Sequence, residues 1–150
     1  MARKYKSTKV RQKQIVDAAR KVIIKYGSEH VTVKRIAKEV GITPIIGAEV
    51  VSNNLRVILL VKNQSGYRNL YRILSRRHLD KNFSLLDVLL RYSVGLFMIT
   101  DSTPLLNSLK AKVTPENLFV ELQPHPRRFG LLQFSRSTGI APVATNSVYF

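Results

Sequence analysis

The sequence predicts an α/β protein: an open, mostly parallel sheet with helices, preceded by an N-terminal α-helical segment patterned like a helix-turn-helix. Three observations carry this expectation. Apolar residues up to Val40 recur at helical spacings of three and four, whereas after Pro44 short apolar runs alternate with amphipathic stretches. Those runs are apolar at successive positions rather than at every second one, as in strands covered on both faces. Finally, 150 residues at 45% hydrophobic content suffice for one ordinary core, or for a smaller core with a helical appendage.

The first helix is expected over residues 9–26, where Ile15, Ala18, Ala19, Val22, Ile23 and Tyr26 form one stripe. Ser7 or Thr8 offers the N-cap and Gly27 the closing residue. A second helix starts at the cap Thr32, carries Val33, Ile36, Ala37 and Val40 on one side, and stops at Gly41. No helix is expected directly after this turn, because Pro44 and the β-branched Ile45, Ile46, Val50 and Val51 disfavour one. Strands are predicted at IIGAEVV (45–51), RVILLVK (56–62), GLFMIT (95–100), LFVEL (118–122) and PVATN (142–146). Helices are predicted at 66–79, 85–92, 104–109 and 127–137. Asn53-Asn54 is a natural turn, which makes the first two strands an antiparallel hairpin. The division between helical segment and sheet is placed between residues 43 and 44.

The formal charge is +16, and it is uneven: residues 1–43 hold 12 Lys/Arg against 3 Asp/Glu, the remainder 13 against 6. Such a surface attracts polyanions by releasing their condensed counterions, which makes nucleic acid the first candidate partner. The absence of cysteine excludes disulfides, thiolate metal sites and a cysteine nucleophile. The N-terminus MARKYKSTK lacks the apolar stretch of a signal peptide, and the longest apolar run, VILLV at 57–61, is far short of a membrane span. A cytoplasmic protein without membrane contact is expected.

The stretch RQKQIVDAARKVIIKYGSEHVTVKRIAKEVGIT resembles the N-terminal DNA-binding module of tetracycline-repressor-type (TetR family) regulators over about residues 10–43. The density of positive charge places nucleic-acid contacts on the basic tail (Arg3, Lys4, Lys6) and on the second helix, at Thr32, Lys34, Arg35 and Lys38. The family continues into a third, groove-reading helix, whereas this chain continues PIIGAEVVS. Phosphate contacts without base readout are therefore expected.

The blocks PIIGAEV, LLVKNQSGYRNLYRILSRRHL, YSVGLFMIT, NLFVELQPH and STGIAPVATNSVYF resemble the PHP (polymerase and histidinol phosphatase) domain of bacterial DNA polymerase III alpha subunits and their error-prone relatives, over about residues 44–150. The segment VKRIAKEVGIT also resembles the helix that precedes PIIGAEV in that family. The resemblance implies an incomplete PHP-like barrel or open sheet, and a strand-end site where His, Asp and Glu side chains hold metal ions that activate water. Matched block by block, Glu49 stands where the family has a ligand carboxylate and is the one plausible remnant. Arg56 stands where the family often has His. Ser102 lies near a further family position, and Ser147 and Tyr149 replace the Asp and His of VATNDVHY. The family's N-terminal HxHxxxS block is absent. His30, His78 and His125 show no metal-ligand spacing, and His125 in ELQPHP reads as a loop residue. Glu49 and Glu121 are expected to be satisfied by Arg56 or another base. There is no GxSxG, Gly-rich phosphate loop or GxGxxG.

These readings predict no metal, no cofactor and no catalysis, in a DNA-associated protein that binds largely without sequence preference. The alternatives are a TetR-type regulator and a metal-dependent phosphoesterase. Polymerase subunits, or a second copy docked through an exposed sheet edge, are the further partners expected. A further alternative expectation is a gene fragment formed by recombination, ending at Phe150 where the family's domain would continue and without the polymerase domains. The helix 66–79 adds Arg68, Arg72, Arg76 and Arg77, which are placed to meet phosphates, a polymerase surface or solvent.

Overall fold

A computed structural model describes residues 7–145. Residues up to Ile45 form one compact unit and residues from Ile46 a second. In the first unit, helix α1 (Thr8–Tyr26) and helix α2 (Val33–Val40) pack through Ala18, Val22 and Ala37, which are buried. The Ser7 hydroxyl does not cap α1; its carbonyl accepts from Arg11 N instead. Gly27, at φ +89°, closes α1 through its N–H to the Ile23 carbonyl. Thr32 caps α2, accepting from Arg35 N at 3.2 Å. Gly41 ends α2 in the left-handed region that glycine tolerates best. No regular secondary structure follows until Gly47.

The second unit is a five-stranded sheet in sequential order: β1 (Gly47–Ser52), β2 (Leu55–Val61), β3 (Leu96–Thr100), β4 (Leu118–Leu122) and β5 (Pro142–Ala144). Asn53 and Asn54 both adopt positive φ, the mark of a two-residue turn whose twist matches the strands it joins. Ladder pairing starts just ahead of β1, where Ile46 O accepts from Val61 N at 2.7 Å.

The expectation of a mostly parallel sheet is corrected: β1–β2 and β2–β3 are antiparallel, β3–β4 and β4–β5 parallel. The reason lies in the connections. Between β2 and β3 the chain makes two helices, α3 (Gln64–Leu79) and α4 (Leu85–Tyr92), which carry it away and back to the same end of the sheet. One helix joins each later pair, α5 (Thr103–Lys110) after β3 and α6 (Arg128–Thr138) after β4, so the chain re-enters from the opposite end. Within the described residues the sheet remains open, with β1 and β5 as its edges.

Register sets the core. Val50, Val57, Met98 and Leu118 share one face with Leu59 and Val120, and they meet Leu70 and Ile73 of α3, Leu89 of α4 and Leu106 of α5. Each such side chain contributes roughly 1.5–3 kcal/mol by leaving water. On the opposite face the same register brings forward Glu49, Arg56 and Glu121, with Phe97 and Phe119 edge to face at 6.0 Å between centroids. Among the described residues no helix is long and apolar enough to cross a membrane.

Candidate functional site

The strand alternation that buries Val57 turns its neighbour Arg56 to the other face, at the start of β2. Because β2 runs against β3, that start lies beside the end of β3, where the Thr100 hydroxyl donates to the Arg56 carbonyl at 2.6 Å. Glu121 projects near the end of β4, and Thr145 follows β5 directly. Four strands thus deliver their polar residues to one end of the sheet.

Glu121 is the centre of this cluster, with its side chain 1% exposed. Its Oε2 pairs with Arg56 Nη2, while Oε1 accepts from Thr145 Oγ1 at 2.5 Å and Gln123 Nε2 at 3.1 Å. Arg56 reaches in the other direction to Glu49, Nη1 to Oε1 at 3.3 Å. One guanidinium therefore bridges two carboxylates from β1 and β4, in the forked geometry that suits arginine better than lysine.

Burial pushes the Glu121 carboxyl up, yet hydrogen bonds from Thr145, Arg56 and Gln123 outweigh it, and the group titrates below the usual carboxylate range. Burial opposes the Arg56 charge as well, and it is overcome by the Glu121 bond and the two carboxylates, so Arg56 is held protonated. A depressed folded-state pKa stabilises above the unfolded value of about 4.3 and loses that contribution as pH falls through the folded value. Wild-type stability is therefore expected to decline below about pH 4.3. In parallel urea titrations at several pH values, the gap between wild type and Glu121→Gln should narrow as acid is added; a gap constant from pH 7 to 3 would contradict this assignment.

These residues do not fit a cluster of catalytic metal ions. Both Glu121 oxygens already accept hydrogen bonds, and the permanent guanidinium charge repels a divalent cation. Among the described residues no three His, Cys, Asp or Glu side chains group to hold a metal. Ser102 caps α5, accepting from Leu105 N at 3.4 Å. His125 Nδ1 accepts from Arg127 N in the turn before α6, and Ser147 and Tyr149 lie outside the described residues. A cleft of about 560 Å³ opens beside the cluster, lined by Leu122, Gln123, Phe129, Leu132 and Thr145 with Arg128. Gln123 and Thr145 both direct hydrogen bonds at Glu121, and the remaining lining is mainly apolar.

Residues 16–114 match the PHP domain family. The chain belongs to the PHP family. No curated protein sequence matches it. The PHP match starts inside α1, so it takes in most of the segment that resembles a repressor module, and it holds Glu49 and Arg56 but stops before Glu121. The cluster of this PHP domain thus joins matched and unmatched parts of the chain.

The nucleic-acid candidates are placed as follows. Arg3, Lys4 and Lys6 lie outside the described residues. Thr32 uses its hydroxyl as the α2 cap, and Arg35 stacks over the Tyr26 ring at 4.9 Å. Lys34 and Lys38 are exposed, one turn apart on α2. Thr145 and Gln123 are the partners that sequence reasoning missed; the sole available signal was the position of VATN at the end of the strand next to LFVEL.

Proposed function

We propose that this chain is a non-catalytic PHP-family protein that associates with DNA, related to the PHP domain of bacterial DNA polymerase III alpha subunits. The observation that carries it is Arg56. A fixed internal cation, bonded to Glu49 and Glu121, stands where metal-dependent phosphoester chemistry would need open donor atoms. What remains is attraction for polyanions, strongest in residues 1–43 with 12 Lys/Arg against 3 Asp/Glu. The tail residues Arg3, Lys4 and Lys6 with Lys34, Arg35 and Lys38 supply phosphate contacts, while Thr32 holds α2 in shape. The chain passes from α2 into β1 rather than into another helix, which supports binding without base readout. Polymerase subunits, or a second copy at an open sheet edge, are the protein partners of this reading.

Fluorescence anisotropy with unrelated duplexes tests it. Dissociation constants of about 10⁻⁴–10⁻⁶ M at physiological salt are expected, with affinity falling as salt rises. The double variant Lys34→Gln/Lys38→Gln is expected to lower the salt slope by about 1 for each of the two lysines that neutralises a phosphate. Salt-independent affinity, or manganese-dependent cleavage of a phosphodiester by the pure protein, would overturn the reading.

A further inference from the structure

Helix α3 buries Gly66, Leu70 and Ile73 and turns the opposite side to solvent. On that exposed side two rows run in parallel. Tyr67 and Tyr71 form one, 48% and 70% exposed. Arg68, Arg72 and Arg76, spaced four residues apart, form the other. A fourth guanidinium joins from α4: Arg72, Arg76 and Arg91 all lie over the Tyr92 ring, at 5.9, 5.6 and 5.8 Å from its centroid.

Positive charge on this surface is left without an acidic counterpart among the described residues. Helix α3 contains no acidic residue, and like charges four apart on a helix repel. Among the described residues none of Arg68, Arg72, Arg76 or Arg91 is in an ion pair. Their hydrogen bonds on the helix go to neutral groups, Arg68 to Ser65 and Arg72 to Asn69. By contrast Arg77 lies over Phe83 and donates to the Val51 carbonyl, so it serves the fold. The two tyrosines gain little from burial, although an aromatic ring usually repays it.

We propose that this face of α3 and α4 binds single-stranded nucleic acid, with bases stacked on Tyr67 and Tyr71 and phosphates held by Arg68, Arg72, Arg76 and Arg91. The arginines alone fit any polyanion. The tyrosines decide for a single strand, because a duplex hides its base faces while an unpaired strand offers them to flat rings. Residues four apart on a helix face lie about 6 Å apart, which sets the two rings beside each other along one track. The surface shares no residue with the DNA contacts of the N-terminal segment, so the two can fail separately.

The experiment uses the full chain with a labelled oligothymidylate and a labelled duplex hairpin, read by anisotropy across a salt series. Tyr71→Ala is expected to weaken oligothymidylate binding roughly five- to a hundredfold and to leave the duplex unchanged, with Tyr71→Phe restoring wild-type affinity. Arg72→Gln should weaken both and lower the single-strand salt slope by about 0.7. Lys34→Gln/Lys38→Gln, which tests the N-terminal reading, should leave the effect of Tyr71→Ala intact. All these positions are exposed, and an unchanged circular dichroism spectrum checks the fold. Unaltered oligothymidylate affinity in Tyr67→Ala/Tyr71→Ala would overturn the proposal, as would equal loss for duplex and single strand. So would displacement of the oligonucleotide from wild type by an acidic polypeptide at equal charge concentration.

Discussion

Arg56→Ala is expected to lower the free energy of unfolding by about 3–5 kcal/mol, because it strands a buried carboxylate without its counter-charge. Glu121 has no water to turn to, with its side chain 1% exposed, whereas Glu49 at 32% can rehydrate. Most of the loss therefore comes from Glu121. The variant should recover part of its stability as pH falls, since a desolvated, unpaired carboxyl takes up a proton readily. Arg56→Lys should fall between the two, keeping the charge but losing the fork that reaches two strands. The double variant Arg56→Met/Glu121→Gln should be less destabilised than the sum of its single changes, because it removes both charges together. Urea denaturation followed by tyrosine fluorescence measures each of these variants, together with the single changes Arg56→Met and Glu121→Gln. Arg56→Ala with wild-type stability at pH 7 would show that the pair holds nothing.

Gly66→Ala is expected to cost about 3 kcal/mol, near the upper end for overpacking. A methyl group there would collide with the backbone carbonyl of Gly95, whose own φ is +79°. No side chain can rotate away to relieve that clash. Either the first turn of α3 or the loop before β3 must move, and both are tied: Asn63 Oδ1 accepts from Gly66 N at 3.0 Å, and Lys62 N donates to Gly95 O at 2.9 Å. Gly130→Ala is the control, lying inside α6 where an added methyl would meet no atom within 4 Å beyond its chain neighbours and the adjacent helix backbone. It should stabilise by roughly 0.5–1 kcal/mol through the lower entropy of the unfolded chain. Opposite signs for the two substitutions, read by the same denaturation experiment, are the expected result.

Much of the architecture is legible because its signals are local. The apolar run around Leu59 and Leu60, the Asn53-Asn54 turn and the cap at Thr32 each act over a few residues, and the structure has an element at each. Boundaries move where the decisive partner is distant: the apolar pattern starts the first strand at Ile45, yet the ladder begins with the Ile46 carbonyl bonded to Val61. The site is partly legible. Glu49, Arg56 and Glu121 stand out as charges next to apolar runs, and Arg56 is the expected base. Thr145 and Gln123 do not stand out, since a threonine and a glutamine at strand ends are ordinary until the fold sets them against Glu121.

By itself the sequence determined the helices, the strands, the hairpin turn and the excess of positive charge, because each follows from neighbouring residues or from a sum over all of them. Tertiary structure decided strand direction, the bond between Arg56 and a carboxylate 65 positions away, and the close approach of Gly66 to Gly95. It also decided which arginines are tied into the fold, as Arg56 and Arg77 are, and which stand exposed, as Arg68, Arg72, Arg76 and Arg91 do. The physical reason is separation along the chain: a long-range pairing forms only where packing of the whole sheet repays the entropy of closing the loop between its partners, and no local pattern records where that will be.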